Sequence, residues 1–143
     1  MTYRLGTRSR MNLRGVSPKL VSVVEEAISL TSQDFTVIEG LRDMERQKKL
    51  VGEGKSKTLN SRHLTGHAVD IAPYPISWDF DKFYPIADAM IKAARNQNVA
   101  VRWGGNWEVT DIRTWGSSAE ELVKAYSGKF YDLPHFEIPR GFE

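Results

Sequence analysis

Residues 61–71 read S-R-H-L-T-G-H-A-V-D-I, and this short segment decides how the rest of the 143-residue chain is interpreted. It holds two of the three histidines in the chain, together with an aspartate. Gly66 allows the backbone to turn, so that the side chains of His63 and Asp70 can converge. The small and apolar residues from Ala68 onward predict a buried strand that is entered from this turn.

The third histidine, His135, lies in the last apolar segment, L-P-H-F-E-I. On a strand, the two-residue period places His135 and Glu137 on the same face. Two imidazoles and one carboxylate form a known catalytic zinc set, which leaves the fourth coordination position for water. The spacing therefore makes His63, Asp70 and His135 candidate zinc ligands. The alternative for each histidine is an ordinary hydrogen-bonded or solvated side chain.

His67 is the competing ligand, because it follows His63 by four residues. On a helix this spacing would point both rings to one side, but Thr65-Gly66 argues against a helix here. On an extended segment, His67 and Asp70 face opposite ways. We therefore expect His67 to lie outside the ligand set, on the surface with Lys55 and Lys57.

Composition excludes several classes of site and partner. The chain has no cysteine, so disulfides, thiolate nucleophiles and cysteine zinc sites are ruled out. The net charge of +2 comes without a dense Lys/Arg block and does not indicate a nucleic-acid partner. The N-terminus has no apolar run, and no segment approaches the roughly 18 apolar residues of a membrane span. We expect one domain over residues 1–143, synthesised in a cytoplasm, with no second domain.

Local patterns predict helices and strands without regular alternation, which is typical of the α+β class. Ser17 and Pro18 suit the start of a helix, and Ser118 with Glu121 forms a possible capping box. Pro85 predicts a kink in its helix or a later start. The predicted helices cover 17–31, 43–51, 79–96 and 118–126, and the predicted strands cover 35–39, 68–72, 99–103 and 133–138.

Two motifs carry a resemblance to a known family. The pattern S-x-H-x-x-G-x-A-x-D is matched by Ser61, His63, Gly66, Ala68 and Asp70. Asp132 and His135 match a downstream acidic-x-x-His element. The chain resembles the D-Ala-D-Ala carboxypeptidase, VanX and VanY-like zinc peptidases, and within them the bacteriophage L-alanyl-D-glutamate peptidases, which are small endolysins. The resemblance implies the fold shared with the hedgehog domain, a small antiparallel sheet with flanking helices.

The resemblance covers nearly the whole chain, including I-E-G-L-R with Arg42 and R-W-G-G-N-W at 102–107. The VanX-like members carry glutamate where this chain has Asp132, whereas the phage enzymes carry aspartate, which favours the phage branch. The phage sequences often have aspartate where this chain has Asn106, so the role of Asn106 stays open.

Residue roles follow from the resemblance and from position. Asp132 is the expected general base, and Arg42 is the expected cation facing the oxyanion, with a salt bridge to Glu39 or Glu45 as its alternative. Glu137 is the second candidate for the base, or else the acceptor that orients a ligand imidazole.

Three further residues have two possible roles each. Ser61 either hydrogen-bonds the substrate or a ligand, or caps a turn. Trp103 and Trp107 either line a cleft for glycan or peptide, or belong to the core.

The resemblance implies a Zn²⁺ endopeptidase that cuts the stem peptide of peptidoglycan, at the bond between L-Ala and D-Glu, as a phage or prophage endolysin. We expect a monomer that is made in the host cytoplasm and reaches periplasmic peptidoglycan after holin-type release. The alternatives are a D-Ala-D-Ala carboxypeptidase or dipeptidase, and a non-catalytic wall-binding module of the same fold. A degenerate module should have lost the base or the cation, yet Asp132 and Arg42 are both present.

Overall fold

A small antiparallel sheet with helices packed against it forms the framework, which confirms the predicted α+β class. The computed structural model describes residues 2–56 and 58–143, so the surface position predicted for Lys57 lies outside the described residues. The strands are β1 (Phe35–Glu39), β2 (Ala68–Pro73), β3 (Arg102–Gly104) and β4 (Asp132–Glu137). The helices are α1 (Thr7–Asn12), α2 (Pro18–Leu30), α3 (Met44–Gly52), α4 (Phe80–Gln97) and α5 (Ala119–Lys124).

The strand order is β1-β2-β4-β3, so β2 and β4 are the central strands. In the register of this central pair, Asp70 lies directly opposite His135. On the other side of β4, Arg102 of β3 lies opposite Glu137. Residues far apart in the sequence therefore meet on neighbouring strands, because directly opposed residues share a face of the sheet.

The core lies between the sheet and the long helices α2 and α4, which pack against each other. The apolar stripe predicted for α2 is buried, and Pro18 is its first residue, as expected. Ser17 occupies the capping position but makes no side-chain capping bond there. Helix α4 begins at Phe80 and runs unbroken through Pro85, so the later start allowed for in the sequence does not occur.

Two elements differ from the sequence expectations. Strand β3 covers only Arg102–Gly104. The carbonyl of Val101 accepts a hydrogen bond from the amide of Ile112, which begins a 3-10 turn, and so it does not pair with a neighbouring strand. Helix α1 was not predicted, since its sequence T-R-S-R-M-N has no apolar stripe. It is held to the sheet by Ser9, whose hydroxyl accepts a hydrogen bond from the Val37 amide at 2.9 Å.

The short helix α5 confirms the cap predicted for it. The Ser118 hydroxyl accepts a hydrogen bond from the Glu121 amide at 3.2 Å, and the helix ends at Lys124, before Gly128. Within the described ranges, no helix has both the length and the apolar character needed to cross a bilayer.

Candidate active site

A short turn positions the first histidine of the site. Residues Arg62–Thr65 form one turn of 3-10 helix, so the argument against helical structure at this point was wrong. The turn is capped by Ser61, whose hydroxyl accepts from the His63 amide at 3.1 Å. It ends at Gly66, which has a φ of 77° and whose added Cβ would lie 2.4 Å from the Gly15 carbonyl oxygen. Only glycine meets both demands.

His63, Asp70 and His135 converge at the end of this turn. Oδ1 of Asp70 lies 3.2 Å from Nε2 of His63 and 3.4 Å from Nδ1 of His135. One ligand atom from each of the three lies within 4.8 Å of the others, a spacing compatible with a shared metal ion. His67 is not part of this group among the described residues, and its Nδ1 instead lies 2.7 Å from the Thr65 hydroxyl.

The second nitrogen of each imidazole is occupied by a hydrogen-bond acceptor. Nδ1 of His63 lies 2.8 Å from the Gly40 carbonyl oxygen, which can only accept, so this nitrogen carries the hydrogen. Nε2 of His135 lies 2.7 Å from Oε1 of Glu137. These bonds leave Nε2 of His63 and Nδ1 of His135 as the nitrogens that face Asp70, and each offers a lone pair to a metal once it is deprotonated. The donor set therefore fits a metal ion in both position and tautomer.

The charges of the group are strongly coupled. Burial alone would raise the pKa of Asp70, but the charge of His63 and hydrogen bonds from both histidines lower this pKa far below its usual range. Burial alone would lower the pKa of His135, but hydrogen bonds to Asp70 and Glu137 raise it to about 10. Without a metal, the site is thus occupied by a proton at neutral pH, and a metal cation must replace that proton.

Asp132 begins β4 beside the metal group. Burial raises its pKa above the ordinary value, the negative charge of Asp70 adds to this, and His135, His63 and Arg42 partly oppose it. The backbone of Asp132 packs closely against Gly104, because a Cβ at Gly104 would lie 2.2 Å from the Asp132 carbonyl oxygen and 2.9 Å from its Cβ. This contact explains one glycine of the R-W-G-G-N-W segment.

Arg42 is buried, with a fractional exposure of 8%, and lies between β1 and α3. Its Nε and Nη2 donate to the two carboxylate oxygens of Glu39 at 2.9 and 2.6 Å. Its Nη1 donates to Gln47 at 2.7 Å, and Nη2 also lies 3.5 Å from Oδ2 of Asp70. The salt bridge to Glu39 and the position beside the metal group are thus both present, whereas Glu45 is not a partner in the described hydrogen bonds.

These residues line one open cleft with a volume of about 530 Å³. Its wall includes the metal group, Asp132, Arg42, Ser61, Glu137 and Trp107. The Trp107 ring centroid lies 5.2 Å from that of His135 and 6.2 Å from that of Phe130. An aromatic wall beside a polar centre is suited to a peptide substrate with both apolar and charged groups.

Comparison with known proteins places the chain in a family. The model of the phage L-alanyl-D-glutamate peptidase family matches residues 1–138. The chain belongs to this family. It is 30% identical to the L-alanyl-D-glutamate peptidase of Escherichia phage T5 over 145 residues, which cover 96% of this chain and 99% of the phage protein.

A solved structure agrees with the family assignment. The crystal structure of the Serratia marcescens L-Ala D-Glu endopeptidase ChiX matches with a TM-score of 0.75 and 41% identity, covering 96% of this chain and 90% of that chain. The vancomycin resistance D,D-dipeptidase VanXYg matches with a TM-score of 0.45 and 17% identity, covering 90% of this chain and 51% of that chain. The resemblance on which the sequence expectations rest is therefore confirmed at the level of the phage peptidase family.

The two tryptophans of this family member have different surroundings. Trp103 is fully buried, stacks on Phe136 at 5.8 Å and donates from Nε1 to the Leu133 carbonyl at 2.7 Å. The cleft role considered for Trp103 is therefore wrong, because its side chain faces the core. Trp107, four residues further along the chain, lines the cleft.

Asn106 has a structural role in this member of the phage peptidase family. Its side-chain amide is buried, donates to the Leu122 carbonyl at 2.9 Å and accepts from the Glu108 amide at 3.0 Å. It therefore ties the loop after β3 to helix α5, which answers the question left open by the sequence.

Several residues that line or support the cleft were missed by the sequence analysis. Gln47 is fully buried and links Arg42 to the loop through Ser56, but it sits in a polar helix that gave no signal. Trp78, Phe130, Arg102 and Arg140 line the cleft itself. Exposed aromatic and basic residues have no periodic pattern in the sequence, so only the fold shows that they share one surface.

Proposed function

We propose that this protein is a zinc-dependent endopeptidase that hydrolyses the L-Ala–D-Glu bond in the stem peptide of bacterial peptidoglycan. The observation that carries the proposal is the convergence of lone pairs from His63, Asp70 and His135 in a cleft that also holds Asp132 and Arg42. Membership in the phage L-alanyl-D-glutamate peptidase family supports the choice of bond.

Zinc is the metal that this ligand set fits best. Two imidazole nitrogens and one carboxylate oxygen match a common catalytic zinc site with one open coordination position. When bound, zinc supplies Lewis-acid polarisation of the scissile carbonyl and lowers the pKa of water. Glu137 and the Gly40 carbonyl hold the two imidazoles in the required tautomers and orientations.

Asp132 acts as the general base and then as the general acid. Its carboxylate accepts a proton from a water molecule in the cleft and passes this proton to the amine that leaves the scissile bond. Burial raises its pKa above the ordinary aspartate value, which makes it a better proton acceptor than an exposed aspartate.

Arg42 stabilises the negative charge that develops on the carbonyl oxygen. The guanidinium is held rigidly by Glu39 and Gln47, so it needs little reorganisation during the reaction. Its Nη2 lies 3.5 Å from Oδ2 of Asp70, so this nitrogen faces the metal group. Ser61 keeps the His63 turn in place, and Trp107 forms a wall for the substrate.

The biological role follows from this activity. We propose that the protein acts as a monomeric phage or prophage endolysin, made in the host cytoplasm and released to the periplasm through a holin-type lesion. Its macromolecular partner is peptidoglycan.

The test is digestion of purified peptidoglycan followed by mass spectrometry of the new termini. New N-terminal D-Glu together with free L-Ala carboxyl ends is the expected result. Release of D-Ala alone would replace the proposal with a D-Ala-D-Ala carboxypeptidase. Binding without any new termini, in zinc-loaded protein, would replace it with a wall-binding module.

A further inference from the structure

We propose that Arg102 is the specificity-determining residue that binds the free carboxylate of the residue following the scissile bond. This inference rests on the proposed function. Glutamate has two carboxyl groups and only one continues the peptide chain, so the D-Glu released by cleavage keeps a second, charged carboxyl group. This carboxylate lies only a few bonds from the scissile nitrogen. The cation that binds it must therefore line the metal cleft.

Most cations of the cleft are already neutralised. Arg42 is bound to Glu39, Arg62 to Glu143 at 2.7 Å, and Lys55 lies 3.5 Å from Glu53. In the described part of the chain, no carboxylate lies within 4.0 Å of the guanidinium of Arg102 or Arg140. These two are the cleft cations left for an anionic ligand.

Arg102 is held in a defined position without losing its charge. Nε donates to the Trp107 carbonyl at 3.0 Å, and Nη2 donates to the same oxygen. The guanidinium carbon also lies 5.2 Å from the Trp107 ring centroid, and that ring lies 5.2 Å from the His135 ring. A preorganised guanidinium can bind a carboxylate with a directional, charge-assisted hydrogen bond. None of the described hydrogen bonds uses Nη1.

The sheet places Arg102 on the side of the leaving group. Arg42 follows edge strand β1, whereas Arg102 lies on the opposite edge strand, β3, with the metal ligands of β2 and β4 between them. Asp132, which delivers the proton to the leaving amine, begins β4 opposite Gly104 of β3. The leaving residue therefore lies toward β3, and its carboxylate comes within reach of Arg102 rather than Arg42. Arg140 is exposed and is tied instead to Asn60, in the loop before the His63 turn.

The experiment compares two synthetic peptides that differ only at this carboxyl group. One has L-Ala followed by D-Glu with its free carboxylate, and the other has the same position converted to a primary amide. We expect the wild-type protein to prefer the carboxylate by about 10- to 100-fold in kcat/KM, mostly through KM. Equal use of both peptides by the wild-type protein would overturn the inference while leaving the proposed activity intact.

Variants then assign the preference to one residue. Arg102→Gln should reduce cleavage of the carboxylate peptide to the level of the amide peptide, and Arg102→Lys should restore only part of the difference. Arg140→Gln is the matched control, because Arg140 also lines the cleft and also bonds only to a backbone carbonyl, and the ratio between peptides should not change. If folded, zinc-loaded Arg102→Gln still prefers the carboxylate peptide, or if Arg140→Gln loses this preference, Arg102 is not the residue that binds the carboxylate.

Binding provides a readout independent of turnover. Calorimetry with the D-Glu product peptide and its amide should show weaker binding of the amide to the wild-type protein, by a similar factor. In Arg102→Gln both products should bind equally. If the wild-type protein cleaves neither peptide but still binds the carboxylate product more tightly through Arg102, the proposed activity fails and the carboxylate site stands.

Discussion

Nε2 of His135 lies 2.7 Å from Oε1 of Glu137, two residues further along strand β4. This bond directs Nδ1 of the same ring toward Asp70 and thereby selects the nitrogen that can bind a metal. We therefore expect Glu137 to orient the ligand imidazole and Asp132 to move protons, and variants at the two positions test this expectation.

Glu137→Gln should weaken zinc binding by about 10- to 100-fold, because a neutral acceptor supports the ligand imidazole less well. Activity should recover when zinc is added in excess. Competition with a zinc chelator gives the affinity, and a peptidoglycan lysis assay at saturating zinc gives the activity.

Asp132→Asn provides the contrasting result, because asparagine keeps the shape but cannot accept the proton. It should retain zinc and lose roughly 10²–10⁴ in rate, the usual contribution of general acid–base catalysis. Recovery of Asp132→Asn, but not of Glu137→Gln, at saturating zinc would exchange the two roles.

The three proposed ligands should each be required for stoichiometric metal. Purified protein should contain about one zinc per chain, and His63→Ala and His135→Ala should lose it, since each removes one of three protein ligands. Elemental analysis after gel filtration measures the content. His67→Ala is the control, because its ring bonds to Thr65 outside the group, and loss of zinc in this variant would refute the ligand assignment.

Arg42→Ala should bind zinc but lose about 10²–10³ in kcat, the typical cost of removing one donor to the oxyanion. Arg42→Lys should recover only part of the rate, because the forked geometry is lost. Arg46→Ala is a matched control, since Arg46 also pairs with Glu39, at 3.2 Å, but is half exposed. Similar kcat values for Arg42→Ala and Arg46→Ala would reduce Arg42 to a salt-bridge partner.

Gly104→Ala should damage both stability and catalysis. The added methyl would lie 2.2 Å from the Asp132 carbonyl oxygen, so β3 and β4 must separate and the carboxylate must move. We expect destabilisation of about 1–3 kcal/mol, as for other overpacked sites, measured by denaturant unfolding. Gly116→Ala, which would meet nothing within 4 Å, should leave both properties near normal.

The metal-free protein should become less stable as the pH rises from about 6.5 to about 10. Hydrogen bonds to Asp70 and Glu137 outweigh the effect of burial and raise the pKa of His135 to about 10 in the folded state, above its ordinary value of 6.5. The folded state then binds this proton more tightly than the unfolded state, so the stabilisation is complete below 6.5 and is lost toward 10.

Thermal unfolding of chelator-treated protein across this pH range measures the effect. Zinc-loaded protein is the control, because a coordinated imidazole has already given up the proton, and its melting temperature should fall less. A melting temperature of the metal-free protein that is constant or rises between pH 6.5 and 10 would contradict the proposed charge state.

The sequence by itself determined the parts of this protein that depend on local patterns. The turn at Gly66, the buried strand after it and the period-two relation of His135 to Glu137 are properties of neighbouring residues, and they agree with the structure. The meeting of His135 with His63 and Asp70 depends on the pairing of β4 with β2, and it was expected from the family resemblance. The apolar stripe of α2 and the cap of α5 are local in the same sense.

Tertiary structure alone decided the features that depend on contacts between distant segments. The 3-10 turn at His63 forms because Gly66 passes close to Gly15, and α1 forms where Ser9 bonds to β1, neither of which leaves a periodic signal. Trp103 and Trp107 flank the same glycine pair, yet only the pairing of β3 with β4 determines that the first faces the core and the second the cleft. Side-chain surroundings of this kind are set by packing across the sheet, which a single sequence does not encode locally.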